Sequence, residues 1–214
     1  MINLQQVRTM AGSPFDDEHY ELMKALLKER VGKHRYKHSK GVAKTAKRMA
    51  KIYGVDPLQA RMAGLVHDWD KGMAEEKLQA KARALNLDLP SIIIDEMPWL
   101  LHGYTAAASL KQEYPELGEE LFSAVSKHTT GAIEMSPLDC ILYTADIIEP
   151  GRDYASDSDI EILRSLVGAV SVEDLYFQAF KFTLFYLLKN NRALFPGTNE
   201  IWNAWISRNV SCLC

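Results

Sequence analysis

Apolar residues recur along most of this chain every three or four positions, which is the spacing of one buried face of an α-helix. No segment shows the apolar-polar alternation of a half-buried strand. The periodic segments predict helices over 18–31, 39–53, 56–67, 75–85, 103–114, 117–127, 136–150 and 171–191, and a short last helix capped by Thr198. Pro90 and Pro98 bracket a further short apolar segment, 91–97. The pattern therefore predicts an all-α fold, in which the helix that Ser171 opens is the longest.

Two of these helices carry clear start signals. Asp56 is a good N-cap and precedes Pro57, which suits a first turn. Ser136 is followed three positions later by Asp139, the spacing of a capping box. Because no repeat, low-complexity tract or linker divides the chain, we expect one helical domain over 17–214 after a lead-in over 1–16.

Composition and charge narrow the class of protein. The formal net charge is -3, so the chain lacks the global basic field that attracts nucleic acid or an anionic membrane. No secretory leader is visible, and no run approaches the ~18 apolar residues of a membrane span. Cys140, Cys212 and Cys214 form an odd, unpatterned set. These observations predict a cytoplasmic protein that binds neither nucleic acid nor membrane.

The adjacent pair His67 and Asp68 is the first candidate for metal chemistry. Neighbours on a regular helix diverge by about 100°, so these side chains converge on one ion only if the helix ends or loosens there. Small residues precede His67 on the same face, namely Ala60, Ala63 and Gly64. They would let another helix, and a ligand from it, come close. The alternative is a capped helix end with an exposed His-Asp pair.

Asp146 is the second candidate, because it lies on an apolar helical face. A carboxylate there is costly unless a buried arginine or a metal satisfies it, and both alternatives stay open. His38, at the predicted start of the second helix, completes a set of nitrogen and oxygen donors with His67 and Asp68. Such a set suits Fe, Mn, Co, Ni or Zn, and the absence of thiolates argues against a structural zinc.

These residues together resemble the H…HD…D signature of HD-domain phosphohydrolases. The surrounding motif core, 35–152, is similar in order and spacing to the YqeK family of symmetrical bis(5'-nucleosyl)-tetraphosphatases. The segments that carry the resemblance are RYKHS from Arg35, AGLVHD from Ala63, LHG from Leu101, KHTTG from Lys127 and YTADIIEPGR from Tyr143. The resemblance implies an HD-type helical bundle and cleavage of diadenosine tetraphosphate into two ADP. It also implies one or two divalent transition-metal ions, commonly iron, with His38, His67, Asp68 and Asp146 as ligands.

Metal-dependent hydrolysis of this kind leaves little covalent chemistry to the protein. A metal lowers the pKa of bound water toward ~7, so a metal-bound hydroxide would attack the phosphoryl group, with the ligand Asp68 at the catalytic centre. The phosphates then need positive charge. Arg35, Lys71 and Arg152 each lie a few residues from a proposed ligand and are expected to bind substrate. The alternative for each is an ordinary surface cation.

The resemblance implies further roles around the phosphates. His102 and His128 would contact phosphate or a second metal, and His128 would also serve as a general acid. Thr129 would donate a hydrogen bond to phosphate, and Arg192 would line the nucleotide site. Asp70 is expected to orient water, act as a general base or bind substrate, unless it only pairs with the neighbouring lysine.

Other functions stay open at this point. They are a broader HD-type nucleotide phosphohydrolase or phosphodiesterase, a di-iron oxygenase, and a non-catalytic nucleotide sensor. A small-molecule nucleotide is the expected partner, and a homodimer is one option for the oligomeric state. The sequence decides neither the physiological metal nor the preferred base.

Overall fold

The computed structural model describes residues 12–152 and 158–210, and all regular secondary structure within these ranges is helical. This confirms the predicted all-α class. The helices are α1 (Asp17–Arg30), α2 (Lys33–Tyr53), α3 (Pro57–Val66), α4 (Glu75–Ala84), α5 (Ser91–Glu96), α6 (Leu101–Glu113), α7 (Glu119–Lys127), α8 (Pro137–Ile148), α9 (Ser158–Leu166), α10 (Val172–Lys189) and α11 (Thr198–Val210). Two 3-10 turns, Pro98–Leu100 and Pro115–Leu117, precede α6 and α7. Most of the lead-in 1–16, with Cys212 and Cys214, lies outside the described residues. In the part of the chain that the structure describes, no helix is both long and apolar enough to cross a membrane.

The predicted start signals are confirmed. The side chain of Asp56 accepts two backbone N–H bonds at the start of α3, with Pro57 in the first turn. Ser136 and Asp139 form a reciprocal capping box at the start of α8. These local hydrogen bonds satisfy donors that a helix start leaves unpaired, so the helices begin where the sequence indicates.

The predicted extents were wrong in three places. Helix α2 begins at Lys33 rather than at Ser39, so His38 stands inside the helix rather than at its start. With 21 residues α2 is longer than α10, which has 18, although α10 was expected to be the longest helix. Helix α9 was not predicted at all, because it buries only Ile160 and Leu163, too few for a clear periodic face.

The close approach expected below His67 is present between α2 and α3. A Cβ placed on Gly64 would lie 2.7 Å from the Cα of Ala43, so the two helix backbones almost touch at this point. Small side chains permit this packing. As a result, the end of α3, which carries His67, lies next to the part of α2 that carries His38.

A second, smaller apolar cluster supports the start of α6. Its buried members are Leu78, Ala82, Ile93, Met97, Leu100 and Leu101. They come from α4, α5, the residue that joins α5 to the first 3-10 turn, that turn itself and the first residue of α6. This cluster therefore fixes the helix end on which His102 stands, while the main core holds the other site helices.

Candidate metal centre and catalytic cavity

The chain loosens into turns directly after α3, and this brings His67 and Asp68 together. The helix ends at Val66, and Val66 and Asp68 accept turn hydrogen bonds from Trp69 and Lys71. The Nε2 atom of His67 lies 3.2 Å from Asp68 Oδ2, so the two neighbours converge as the proposed ion site requires.

His38 and Asp146 meet this pair from α2 and α8. Oδ1 of Asp146 lies 2.9 Å from Nε2 of His38 and 3.4 Å from Nε2 of His67. One possible donor atom from each of these three residues lies within 4.8 Å of the others. The four predicted ligands therefore come together, although they are far apart in the chain.

The imidazole of His67 provides the clearest indication of a cation. Its Nδ1 donates to the carbonyl of Gly64 at 2.9 Å, which leaves a lone pair on Nε2 in the neutral ring. That Nε2 is fully buried and makes no hydrogen bond, although two carboxylate oxygens lie within 3.4 Å. Buried polar atoms are normally satisfied, so a metal ion fits this nitrogen once the ring has lost its Nε2 proton.

The electrostatics of the cluster also favour a positive charge. Burial opposes the charged forms, but His67 beside Asp68 and Arg152 beside Asp146 hold the pKa of both carboxyls well below the usual range. Burial would likewise lower the pKa of His67, but the negative charges of Asp68 and Asp146 raise it to about 10. The pair of carboxylates therefore remains ionised and stabilises a cation between them.

Asp146 is paired with an arginine and also lies within the group of possible metal ligands. Arg152 donates to the Asp146 carboxylate through Nη2 and to its backbone carbonyl through Nε at 2.8 Å. The same carboxylate oxygen contacts the two imidazoles. In a parallel arrangement, Arg35 Nη1 donates to Asp68 Oδ2 at 2.7 Å. Asp68 and Asp146 are therefore each paired with one arginine.

His102 and His128 face each other beside Asp68. Each ring donates from Nδ1 to the carbonyl three residues before it, at 2.8 Å for His102 and 2.7 Å for His128. Their Nε2 atoms are 3.2 Å apart, and Thr129 Oγ1 lies 3.0 Å from both. Burial and the nearby ammonium of Lys71 hold the pKa of His102 well below its ordinary value. His67, Asp68 and His128 form a second group of three potential metal ligands.

Several side chains of this site line a cavity of about 300 Å³, called here the catalytic cavity. Its cations are Arg35, Lys71 and Arg152. The other lining residues are Asp68, His102, His128, Thr129, Tyr143, Asp146, Ile147, Phe182, Thr183, Tyr186 and Leu187. Helix α10 supplies an apolar wall opposite the charged groups. The cavity therefore places several possible metal ligands beside the local positive charge that a bound polyphosphate needs.

Two predicted site residues belong neither to the group of possible metal ligands nor to the lining of this cavity. Asp70 is buried, and its carboxylate accepts from Arg30 at 3.0 Å and from Lys81 at 2.7 Å, rather than from Lys71. Through these two ion pairs Asp70 links α1 to α4. This placement does not support a role as a base or substrate ligand. Arg192 is exposed and is not among the residues lining the catalytic cavity.

Glu149 is a functional residue that the sequence analysis did not single out. Its side chain is buried, and Oε1 accepts from Nδ1 of His38 at 3.0 Å while Oε2 accepts from the backbone N–H of Gly151 at 2.7 Å. A Cβ at Gly41 would overlap this carboxylate, so glycine there leaves room for the Glu149 side chain. The sequence feature that could have identified Glu149 is its position three residues after Asp146, which on a helix lies on nearly the same face.

Comparison with known proteins agrees with this geometry. Residues 35–151 match the family model described as the HD domain. The chain belongs to the HD domain family. Within that family its similarity extends along most of its length to symmetrical bis(5'-nucleosyl)-tetraphosphatases. The protein of that name from Bacillus subtilis (strain 168) is 30% identical over 184 residues, which are 86% of this chain and 95% of the relative.

A second relative and a solved structure give the same result. The symmetrical bis(5'-nucleosyl)-tetraphosphatase of Staphylococcus aureus (strain NCTC 8325 / PS 47) is 31% identical over 183 residues, covering 86% of this chain and 92% of the relative. The crystal structure of a predicted HD superfamily hydrolase involved in NAD metabolism from Clostridium acetobutylicum has a TM-score of 0.78 and 33% identity. It covers 88% of this chain and 97% of that chain. The resemblance and the bundle that it implied are confirmed.

Proposed function

We propose that this protein is a metal-dependent phosphohydrolase that cleaves diadenosine tetraphosphate symmetrically into two ADP. The observation that carries the proposal is the unpaired, fully buried Nε2 of His67, which lies between two ionised carboxylates at the edge of a cationic cavity. The activity named for the two bacterial relatives supports the choice of substrate.

The donor set supports a divalent transition metal. His38, His67, Asp68 and Asp146 would hold it, and we propose iron as the resident ion, with Mn, Co, Ni or Zn as possible substitutes. When bound, the metal supplies Lewis acidity at the phosphoryl group and lowers the pKa of its water. His102 and His128 would take part in a second site if a second ion binds.

Around this centre, the side chains of the chain itself would bind and orient the polyphosphate. Arg35, Lys71 and Arg152 reach into the catalytic cavity and would neutralise phosphate oxygens as negative charge develops. Thr129 would donate a hydrogen bond from its hydroxyl to a phosphate oxygen. His128, whose Nε2 faces the same space 3.7 Å from Asp68 Oδ1, would deliver a proton to the leaving phosphate.

Product analysis tests the proposal directly. Purified protein is stripped with a chelator, reloaded anaerobically with Fe, Mn, Co, Ni or Zn, and incubated with diadenosine tetraphosphate. Chromatography should then show ADP as the sole product, with turnover only after reloading. AMP plus ATP would contradict symmetrical cleavage, and inactivity with every metal would contradict the proposed function. Preferred turnover of mononucleotides would indicate the broader phosphohydrolase, and dioxygen consumption would indicate the oxygenase.

We also propose a cytoplasmic location. The buried Cys140 carries a free thiol in the structure, and unpaired thiols are typical of reducing compartments. Fractionation of cells that express the protein, followed by immunoblotting, tests this location. The homodimer stays a prediction.

A further inference from the structure

A second cavity, of about 450 Å³, lies between α9 and α10 and is called here the outer cavity. It shares Phe182 and Tyr186 with the catalytic cavity, so these two rings form a common wall. The other lining residues are Asp159, Ile162, Leu163, Leu166, Gln178, Lys181, Phe185, Lys189 and Asn190. Because the wall is shared, a ligand that extends past these rings can occupy both cavities.

The outer cavity has the chemistry of a nucleoside site. Phe185 is 63% exposed and Ile162 is 58% exposed, and both contribute to this one cavity. Contiguous exposed apolar surface of this kind marks binding sites more often than scattered residues do. Aromatic faces stack on any base. Gln178 Oε1 accepts from Lys181 and Asn190 Nδ2 donates to the Tyr186 carbonyl, and the other atom of each amide can bond to a base edge or a ribose. Lys181 and Lys189 add positive charge on the same helix.

The substrate itself requires a second nucleoside position. A dinucleoside tetraphosphate that is cleaved at its centre places one nucleoside on each side of the metal cluster. The catalytic cavity, at about 300 Å³, lies at the lower end of the roughly 300–1,000 Å³ typical of ligand sites, and phosphate-binding groups occupy much of its lining. A cavity at the low end of this range is small for two nucleosides joined by four phosphates, so part of the substrate must extend beyond it.

We propose that the outer cavity binds the nucleoside of the substrate half that extends beyond the catalytic cavity. The phosphate chain passes the Phe182 and Tyr186 wall, and the base stacks against Phe185 opposite Ile162. This inference rests on the proposed function and assigns a substrate position to a surface that lies outside the metal cluster.

Alanine substitution of Phe185 tests the inference, with Leu188→Ala as the matched control. Leu188 is on the same helix and is 53% exposed, but it lines neither cavity. Phe185→Ala should raise KM for diadenosine tetraphosphate about tenfold, because the base loses the ring on which it stacks. The kcat should stay within about twofold, since ground-state and transition-state binding are lost equally. Ile162→Ala, on the opposite wall, should raise KM in the same direction, and Leu188→Ala should behave as wild type.

Further measurements distinguish a failure of this inference from a failure of the proposed function. The inhibition constant of ADP, which has one nucleoside and fits the catalytic cavity, should stay unchanged in Phe185→Ala. Wild-type protein that does not cleave the dinucleotide would contradict the proposed function. Normal cleavage by the wild type together with unchanged KM in both cavity variants would overturn this inference alone. Light scattering completes the test, because a change of molecular mass in Phe185→Ala with unchanged KM would assign the cavity to contact between copies of the chain.

Discussion

The Nδ1 atom of His38 lies 3.0 Å from Oε1 of Glu149, and this contact directs the opposite ring nitrogen toward Asp146. His67, His102 and His128 achieve the same orientation by donating Nδ1–H to the backbone carbonyl three residues before them. All four imidazoles therefore present Nε2 to one space. Partners of this kind fix the tautomer of metal-binding histidines and commonly tune metal affinity.

Replacement of Glu149 by glutamine should weaken metal binding. The two carboxylate oxygens accept one hydrogen bond each, from Nδ1–H of His38 and from N–H of Gly151. The amide of glutamine has only one oxygen that can accept. With that oxygen on Gly151, the amide N–H would face His38 Nδ1 and force the ring proton onto Nε2. We expect Glu149→Gln to lower metal affinity by about 10–100-fold, measured by competition with a chromophoric chelator.

The tautomer of His38 distinguishes this effect from a general loss of structure. Two-dimensional ¹H–¹⁵N spectra of imidazole-labelled, metal-free protein should show a proton on Nδ1 of His38 in the wild type and none on that nitrogen in Glu149→Gln. Glu134→Gln, an exposed acid paired with Arg208, is the control and should leave both tautomer and affinity unchanged. An unaltered His38 tautomer with full affinity in Glu149→Gln would refute the positioning role.

Gly64→Ala should destabilise the protein through the contact between α2 and α3. The added methyl would lie 2.7 Å from Ala43 Cα and 2.8 Å from its nitrogen, and helix backbone cannot move aside cheaply. Overpacking of this kind costs about 1–3 kcal/mol in the free energy of unfolding. Urea denaturation measures the loss. Gly72→Ala is the control, because no atom lies within 4 Å of a Cβ built there, and equal stability of the two variants would contradict the packing argument.

Metal binding should release protons at neutral pH. In the metal-free protein the pKa of His67 is raised to about 10, so its ring is protonated at pH 7.5, whereas a metal ligand must be neutral. Asp68 and Asp146 have lowered pKa values and are already ionised, so they contribute no proton. Apparent affinity for Mn should therefore rise as pH rises, by about tenfold per unit below pH 10.

Calorimetric titrations with Mn at pH 7.5, in two buffers that differ in ionisation enthalpy, count these protons. At least one proton should be released for each ion bound. The absence of any buffer dependence would mean that the ring of His67 is neutral before the metal arrives, and the charge balance described for the cluster would be wrong.

Arg152→Ala should impair substrate binding while leaving the metal in place. Arg152 lines the catalytic cavity and contacts Asp146, but it supplies no metal ligand. We expect KM for diadenosine tetraphosphate to rise at least about tenfold, in keeping with loss of a charged hydrogen bond of roughly 1.5–3 kcal/mol. Metal content by atomic emission should match the wild type, as it should in the control Arg83→Ala, which removes an arginine from an exposed pair with Asp95. Loss of metal from Arg152→Ala alone would show that the residue supports the metal site instead.

The features that could be predicted from the sequence are those with local causes. The Asp56 and Ser136 caps depend on hydrogen bonds within a few residues, and the structure contains both. The four proposed ligands were recognised from motif order, and small residues such as Gly64 indicated the helix contact that brings them together. Each of these signals is carried by a short stretch of chain.

The features that were missed depend on distant partners. Polar residues 33–38 give no apolar periodicity, so the first turns of α2 were not predicted, although Arg35 and His38 are held there by acids from elsewhere. Asp70 stands beside Lys71 in the sequence, but the chain turns it toward Arg30 and Lys81. Glu149 acts through His38, more than a hundred positions away. Such pairings become visible only when the helices are packed.

Anomalous diffraction from crystals grown with Mn tests the central claim most directly. A difference map calculated from data near the manganese edge should contain a strong peak bonded to Nε2 of His38, Nε2 of His67 and the carboxylates of Asp68 and Asp146. Bond lengths should be about 2.0–2.2 Å, as for imidazole and carboxylate ligands generally. An empty map at this position in protein that hydrolyses the dinucleotide, with Asp146 held only by Arg152, would contradict the account.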